Sequence, residues 1–197
     1  MSKDTRLNPN TLAILAMDFQ DSILGFLPDP AALLATVGAA ISAVRRMGGT
    51  VGYVRVAFED ADYVAFPSHS AMGQRVKSAG PNMHANSSKT AVHASIAPEA
   101  GDITVRKTRV GAFSTTDLNA QLKRVGIETL VLTGVQTGGV TLSTVREAHD
   151  LDYRVIVLSD ACADPDAEVH ECLVRKVFPR QATVITVAEF TRLLGQA

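Results

Sequence analysis

The chain has 197 residues, 46% hydrophobic and 20% charged, with 19 Lys plus Arg against 20 Asp plus Glu. That suits one globular domain spanning 1–197, able to bury about two-thirds of its unfolded surface without a disulfide or metal. A formal charge of −1, 5% aromatics and no Trp argue against a nucleic-acid partner, and no apolar run nears the roughly 18 residues of a membrane span.

Thr11 to Met17 is an almost continuously apolar run ending at Asp18, the pattern of a strand buried on both faces. Asp29-Pro30 then opens a helix with Leu33, Val37, Ile41 and Val44 on one face, and Gly48-Gly49 ends it. Val51 to Val56 reads as a second strand, so the first unit is strand–helix–strand with parallel strands. From 57 to 101 no clean period survives. Pro67, Pro81, Pro98, His69, His84 and His93 punctuate it. We expect loops with one or two short helices there, serving as a lid or a subunit contact.

A third strand, Asp102 to Arg106, leads into Lys107. A helix capped near Thr115 or Thr116 follows, with Leu118, Leu122 and Val125 on one face. Glu128 to Thr133 is strand four, Gly134 to Gly139 a glycine-rich turn, and Val140 to Leu151 a helix. Arg154 to Leu158 is strand five. Asp164-Pro165 is read as the cap of a helix whose inner side carries Val169, Leu173, Lys176 and Val177. Thr183 to Thr186 is strand six. Thr186 and Glu189 form a capping box for a last helix with Phe190, Leu193 and Leu194 inward. The alternation predicts an α/β fold with about six parallel strands.

Ligands of such sheets bind outside the carboxyl ends of the strands, where strand order reverses. Strand one ends in Asp18, a carboxylate suited to proton transfer if desolvated, or else a turn residue. Strand three ends in Lys107 between Arg106 and Arg109, an electrostatic partner for Asp18 or a solvated basic edge. Gly138 and Gly139 open a helix N-terminus able to face an anion, without the phosphate-loop or dinucleotide pattern. Gln20 and Arg55 are candidates for orienting a substrate. Cys162 lies at the end of strand five, as a site residue or a buried structural thiol. Cys172 reads as a helix residue, and His170 as a helix residue with a local partner. Two cysteines give no disulfide framework, and the five histidines give no metal spacing, so neither a metal nor another cofactor is implied. The polar N-terminus MSKDTRLNPN lacks a signal-peptide apolar core, and a cytoplasmic location is the expectation.

Together the segments LAILAMDFQ, RKTRVGAFSTTDLNAQLKRVGIETLVLTGVQTGGVTLSTVREAHDLDY and VLSDACADPDAEVH resemble the isochorismatase-like hydrolases, also called the cysteine hydrolase superfamily. Lys107, Phe113, Thr116 and Leu118 match the family's Lys…Phe…Thr-x-Leu spacing. Gly134-Val135-Gln136-Thr137 matches its Gly-Val-x-Thr segment, and Thr144 and Ala148 match the helix after it. The resemblance implies a Rossmann-like three-layer sandwich, Asp18 as the acid–base carboxylate and Lys107 as the triad lysine. It also implies a cis peptide at Val135-Gln136 and assembly as a homo-oligomer, dimer or tetramer. Phe19, Gln20, Val135, Gln136 and Gly139 become the expected substrate or oxyanion contacts.

The chain departs from the family's pattern at the nucleophile and, relative to nicotinamidases, at the metal ligands. The nucleophilic Cys aligns with Val140, which has no nucleophile. The Asp-x-His metal ligands of nicotinamidases are replaced by Arg55-Val-Ala-Phe-Glu-Asp60. True isochorismatases, within the same family, hydrolyse a vinyl ether with no covalent intermediate. The expected function is therefore hydrolysis of a small carboxylated substrate by Asp18 without a cysteine. A non-catalytic small-molecule binder, or an amidase recruiting Cys162, are the alternatives.

Overall fold

The computed structural model describes residues 7–196; residues 1–6, which include most of the polar N-terminus, and Ala197 lie outside them. Six strands, β1 (Leu12–Met17), β2 (Thr50–Val56), β3 (Ile103–Lys107), β4 (Thr129–Val135), β5 (Arg154–Ala163) and β6 (Thr183–Ile185), form one sheet. Its order is β3-β2-β1-β4-β5-β6, and every neighbouring pair is parallel. The helices are α1 (Asp21–Leu24), α2 (Ala31–Arg46), α3 (Asp60–Ala65), α4 (Ala71–Ala79), α5 (Leu118–Arg124), α6 (Leu142–Asp150), α7 (Ala167–Cys172) and α8 (Val187–Leu194).

The apolar run of β1 is continuous because both faces of the sheet are covered. Leu12, Ile14 and Ala16 pack with Val37, Ile41 and Val44 of α2 and Phe190 of α8. Ala13, Leu15 and Met17 pack with Leu118 and Leu122 of α5 and Val145 and Ala148 of α6. This is the three-layer α/β sandwich expected. The order reverses between β1 and β4, and the carboxyl ends of these two strands are where sheets of this kind commonly bind ligands.

Several boundaries differ from the periodicity reading. In α2, Leu34 is buried and Leu33 only partly so. α5 is capped at Asp117, one residue beyond Thr116, whose Oγ1 instead accepts from Leu118 N–H and donates to the Ala112 carbonyl. β4 continues to Val135 and β5 to Ala163, with a register shift between Leu132 and Gly134. α7 is capped by Asp166, not Asp164. A π-helical turn, Leu173–Val177, follows it and shifts the inward face to Leu173 and Val174. Lys176 faces outward, and Val169, 38% exposed, lies against the Gly138 turn rather than in the core, against expectation. The capping box of Thr186 and Glu189 is present on α8, with Phe190 and Leu194 buried. The 57–101 stretch holds α3 and α4 among short 3-10 turns.

Candidate active site

The crevice begins with Asp18, the first residue past β1. Its backbone adopts φ of 60°, left-handed for a residue with a side chain. Asp18 N–H donates to the Val54 carbonyl, and the Asp18 carbonyl accepts from Gln20 N–H. These bonds turn the chain sharply and leave Asp18 buried at the sheet's end, 5% exposed. Lys107 closes β3, two strands away, and is 1% exposed. Its Nζ reaches past β2 to Asp18 Oδ2 at 2.7 Å and donates to the Val110 carbonyl at 2.5 Å. Among the described residues nothing hydrogen-bonds Asp18 Oδ1. Burial raises the Asp18 carboxyl above its usual range, and the Lys107 ammonium opposes that rise without cancelling it. The site therefore holds one paired and one unpaired oxygen on a carboxyl that keeps its proton longer than an exposed aspartate does.

The opposite wall comes from β4. Met17 pairs with Gly134, and the peptide Val135-Gln136 is cis, as the resemblance implied. The chain then winds through a π-helical turn, Thr137–Thr141, into α6. Gly134 is required by close approach. A Cβ there would stand 3.1 Å from Thr141 Oγ1 and 3.2 Å from both the Met17 carbonyl and Val140 Cγ1. Val140 is thus held over Gly134, next to the strand end that carries Asp18, and is 2% exposed.

The loop between Lys107 and α5 is tied to α6. Thr144 Oγ1 accepts from Ala112 N–H at 3.2 Å, and Glu147 Oε2 accepts from Phe113 N–H at 3.3 Å. Arg109 lies over the Phe66 ring at 4.4 Å.

Most of the expected substrate contacts are engaged within the protein itself. Gln20 is fully buried. Its Nε2 donates to the carbonyls of Val56 and Thr90, and its Oε1 accepts from Val56 N–H at 2.8 Å. Both donors of that amide and one of its two acceptor directions are used in joining β1 to β2 and the 57–101 stretch. Arg55 likewise donates to the carbonyls of Ala85 and Thr90. Phe19 and Val135 sit in the apolar cluster under α2. Gln136, half-buried, accepts through its carbonyl from Gly139 and Thr141 N–H. Gly139 N–H is thereby engaged. Gly138 N–H donates to Asp164 Oδ2 at 2.7 Å, so neither glycine amide is open to an anion.

The cysteines and histidines scatter. Cys162 pairs with Gly134 across β4 and β5 and receives the Thr141 hydroxyl. Burial pushes its thiol up to about 12. Cys172 is exposed. His69 is exposed, His84 lies 3.5 Å from Asp60, and His93 pairs with Ser95. His170 does not bond locally. Its Nδ1 lies 2.8 Å from Thr137 Oγ1 on the turn, 33 residues away. The Asp164 and His170 contacts follow no spacing rule, and Asp164 is not the helix cap its sequence context suggests. Among the described residues no group of three or more His, Cys, Asp or Glu is placed to hold a metal, and no helix is long and apolar enough to cross a membrane.

The sequence profile of the family described as "Isochorismatase domain" matches residues 12–189. The chain is 32% identical over 191 residues to the uncharacterized isochorismatase family protein YecD of Escherichia coli O157:H7, covering 95% of this chain and 98% of that one. It is 28% identical over 207 residues to the ureidoacrylate amidohydrolase RutB of Rhizobium rhizogenes, covering 93% and 79%. Among solved structures, an isochorismatase family protein from Burkholderia thailandensis superposes with a TM-score of 0.82 at 28% identity, covering 96% and 98%.

Proposed function

The chain belongs to the isochorismatase family of hydrolases, and from that premise we propose that it hydrolyses a small carboxylated substrate by Asp18 acid–base catalysis, without a cysteine nucleophile. The observation that carries this reading is the Asp18 carboxyl itself: buried, paired with Lys107 through Oδ2, and unbonded at Oδ1. A proton held at Oδ1 faces no competing acceptor and is available to a substrate atom. Lys107 holds the carboxyl in place and offsets the negative charge left after proton transfer.

Val140 stands where the family's nucleophilic Cys aligns, and its isopropyl group can neither attack nor transfer a proton. Cys162 is a poor substitute, because a thiol pushed up to about 12 is almost wholly protonated near neutral pH. The engaged amides of Gly138 and Gly139 also give little support to an acyl-transfer oxyanion site there. Vinyl-ether hydrolysis needs neither device. Asp18 would protonate the enol carbon, and water would capture the oxocarbenium ion.

The test is turnover of isochorismate in ¹⁸O-labelled water. The proton goes to the terminal carbon of the vinyl group and water adds to its oxygen-bearing carbon; the hemiketal then releases a keto acid and a ring alcohol that is unlabelled, because the ether oxygen stays on the ring. Label in that alcohol would place attack on the ring carbon and contradict the mechanism. Val140 also favours a second reading, a binding protein that kept the crevice and lost the chemistry. It predicts that ligand is recovered intact after long incubation. The amidohydrolase name of one relative keeps an amide substrate as the rival within catalysis. Amide turnover that persists in Asp18→Asn would favour a different catalytic group.

A further inference from the structure

The turn that carries Val140 is held by a part of the chain far from it in sequence. Two consecutive turn residues each receive a side chain from the connection after β5. Asp164 accepts through Oδ2 from Gly138 N–H at 2.7 Å and through Oδ1 from Asp166 N–H at 3.2 Å. His170 Nδ1 meets the hydroxyl of Thr137 at 2.8 Å. Thr137 is fully buried. The approach is close as well as polar: a Cβ on Gly138 would stand 3.0 Å from Val169 Cγ1 and 3.2 Å from Asp164 Oδ2.

Neither contact fits an ordinary local role. Asp164 is not the cap of α7, which is Asp166. His170 is on α7, yet its ring bonds to the turn rather than to its own helix. We propose that Asp164 and His170 are positioning residues, a two-point clamp that fixes the Thr137–Thr141 turn, and with it Val140, against the Asp18 crevice. The clamp deepens the hydrolase reading above and rests on it for its catalytic consequence, while its effect on the turn stands apart. A crevice wall fixed to within a fraction of an ångström matters because misplacement of about 1 Å can cost about 100-fold in rate.

The experiment compares wild type with His170→Ala, His170→Asn, Thr137→Val and the Thr137→Val/His170→Ala pair. Amide resonances of Gly138 and Gly139 are followed by NMR, with isochorismate turnover measured in parallel. Asn places an amide atom near the Nδ1 position, so it tests the hydrogen bond rather than the bulk of the ring. The clamp predicts that His170→Ala moves both glycine resonances and that His170→Asn returns them toward wild type. It predicts that kcat falls between about 10-fold and 100-fold in His170→Ala with KM nearly constant, and recovers in His170→Asn. It also predicts that the paired variant loses no more than either single one, as expected when both remove one interaction. Glycine resonances unmoved in His170→Ala would overturn the clamp whether or not isochorismate is turned over. Equal, additive losses in all variants would overturn it too, making His170 a packing residue only. Absence of wild-type turnover with moved resonances would overturn the hydrolase reading for this substrate and support the clamp.

Discussion

The proposed chemistry rests on Asp18, whose two oxygens are unlike. One is neutralised by Lys107 at 2.7 Å and the other has no partner among the described residues. The sign of its pH dependence follows from burial. A folded carboxyl raised above its ordinary value of 3.8 binds a proton that the unfolded chain has released. Its contribution to stability is full below about 3.8 and fades as pH rises through the raised folded value. The proposed acid works in its protonated form, so kcat/KM should be level at low pH and decline as pH rises through that same value. A profile rising through this window would contradict the assignment. Removing Lys107 exposes the other half of the pair. At a pH above the raised Asp18 value, Lys107→Ala leaves a buried carboxylate uncompensated and should cost about 3–5 kcal/mol in urea unfolding, whereas a loss under 1 kcal/mol there would show that the pair is not the buried ion pair described. The cysteines give a simple check on the rival chemistry. Iodoacetamide at pH 8 should label Cys172 and spare Cys162, whose thiol is pushed up to about 12. Rapid labelling of Cys162, read by mass spectrometry of the intact chain, would reopen the thiol mechanism.

At the scale of elements, each strand end has one task. β1 delivers Asp18, β3 delivers Lys107, and β4 delivers the turn with Val140. These three were legible in the sequence because buried parallel strands read as apolar runs that stop abruptly, and the residue at the stop stands out. Gln20 was not legible as a structural residue. A polar residue two places after a site aspartate looks like a ligand contact until its partners are seen. Gln20 bonds Val56 and Thr90, 36 and 70 residues away, and such partners leave no local spacing. Gln20→Ala should therefore destabilise the fold by about 1–3 kcal/mol for the orphaned Val56 amide alone. A large rise in KM without loss of stability would return Gln20 to the substrate. The same limit hid Asp164 and His170, because long-range side-chain bonds are set by the register of β4 against β5, and that register shifts at Leu132 and Gly134. The π-helical turns at Thr137–Thr141 and Leu173–Val177 were hidden too, since a 3.6-residue period cannot reveal an i→i+5 winding.

For the whole molecule, the six-stranded parallel sheet and its two covered faces place the crevice at the single reversal of strand order, between β1 and β4. The α/β class followed from alternation of apolar runs with amphipathic helices. The carboxyl-end rule is what points the proposed site to Asp18. Assembly did not follow from either, and a homo-oligomer remains our proposal. Light scattering should give two or four times the chain mass of 20.9 kDa, and a monomer at micromolar concentration would remove the subunit-contact role proposed for residues 57–101. The central claim concerns Asp18 alone, and one comparison tests it most directly: turnover of isochorismate, followed by its absorbance, for wild type and Asp18→Asn. A general acid contributes about 10²–10⁴-fold, so the account predicts clear turnover by wild type and a loss of at least 100-fold in the variant. Equal turnover by the two proteins would contradict it.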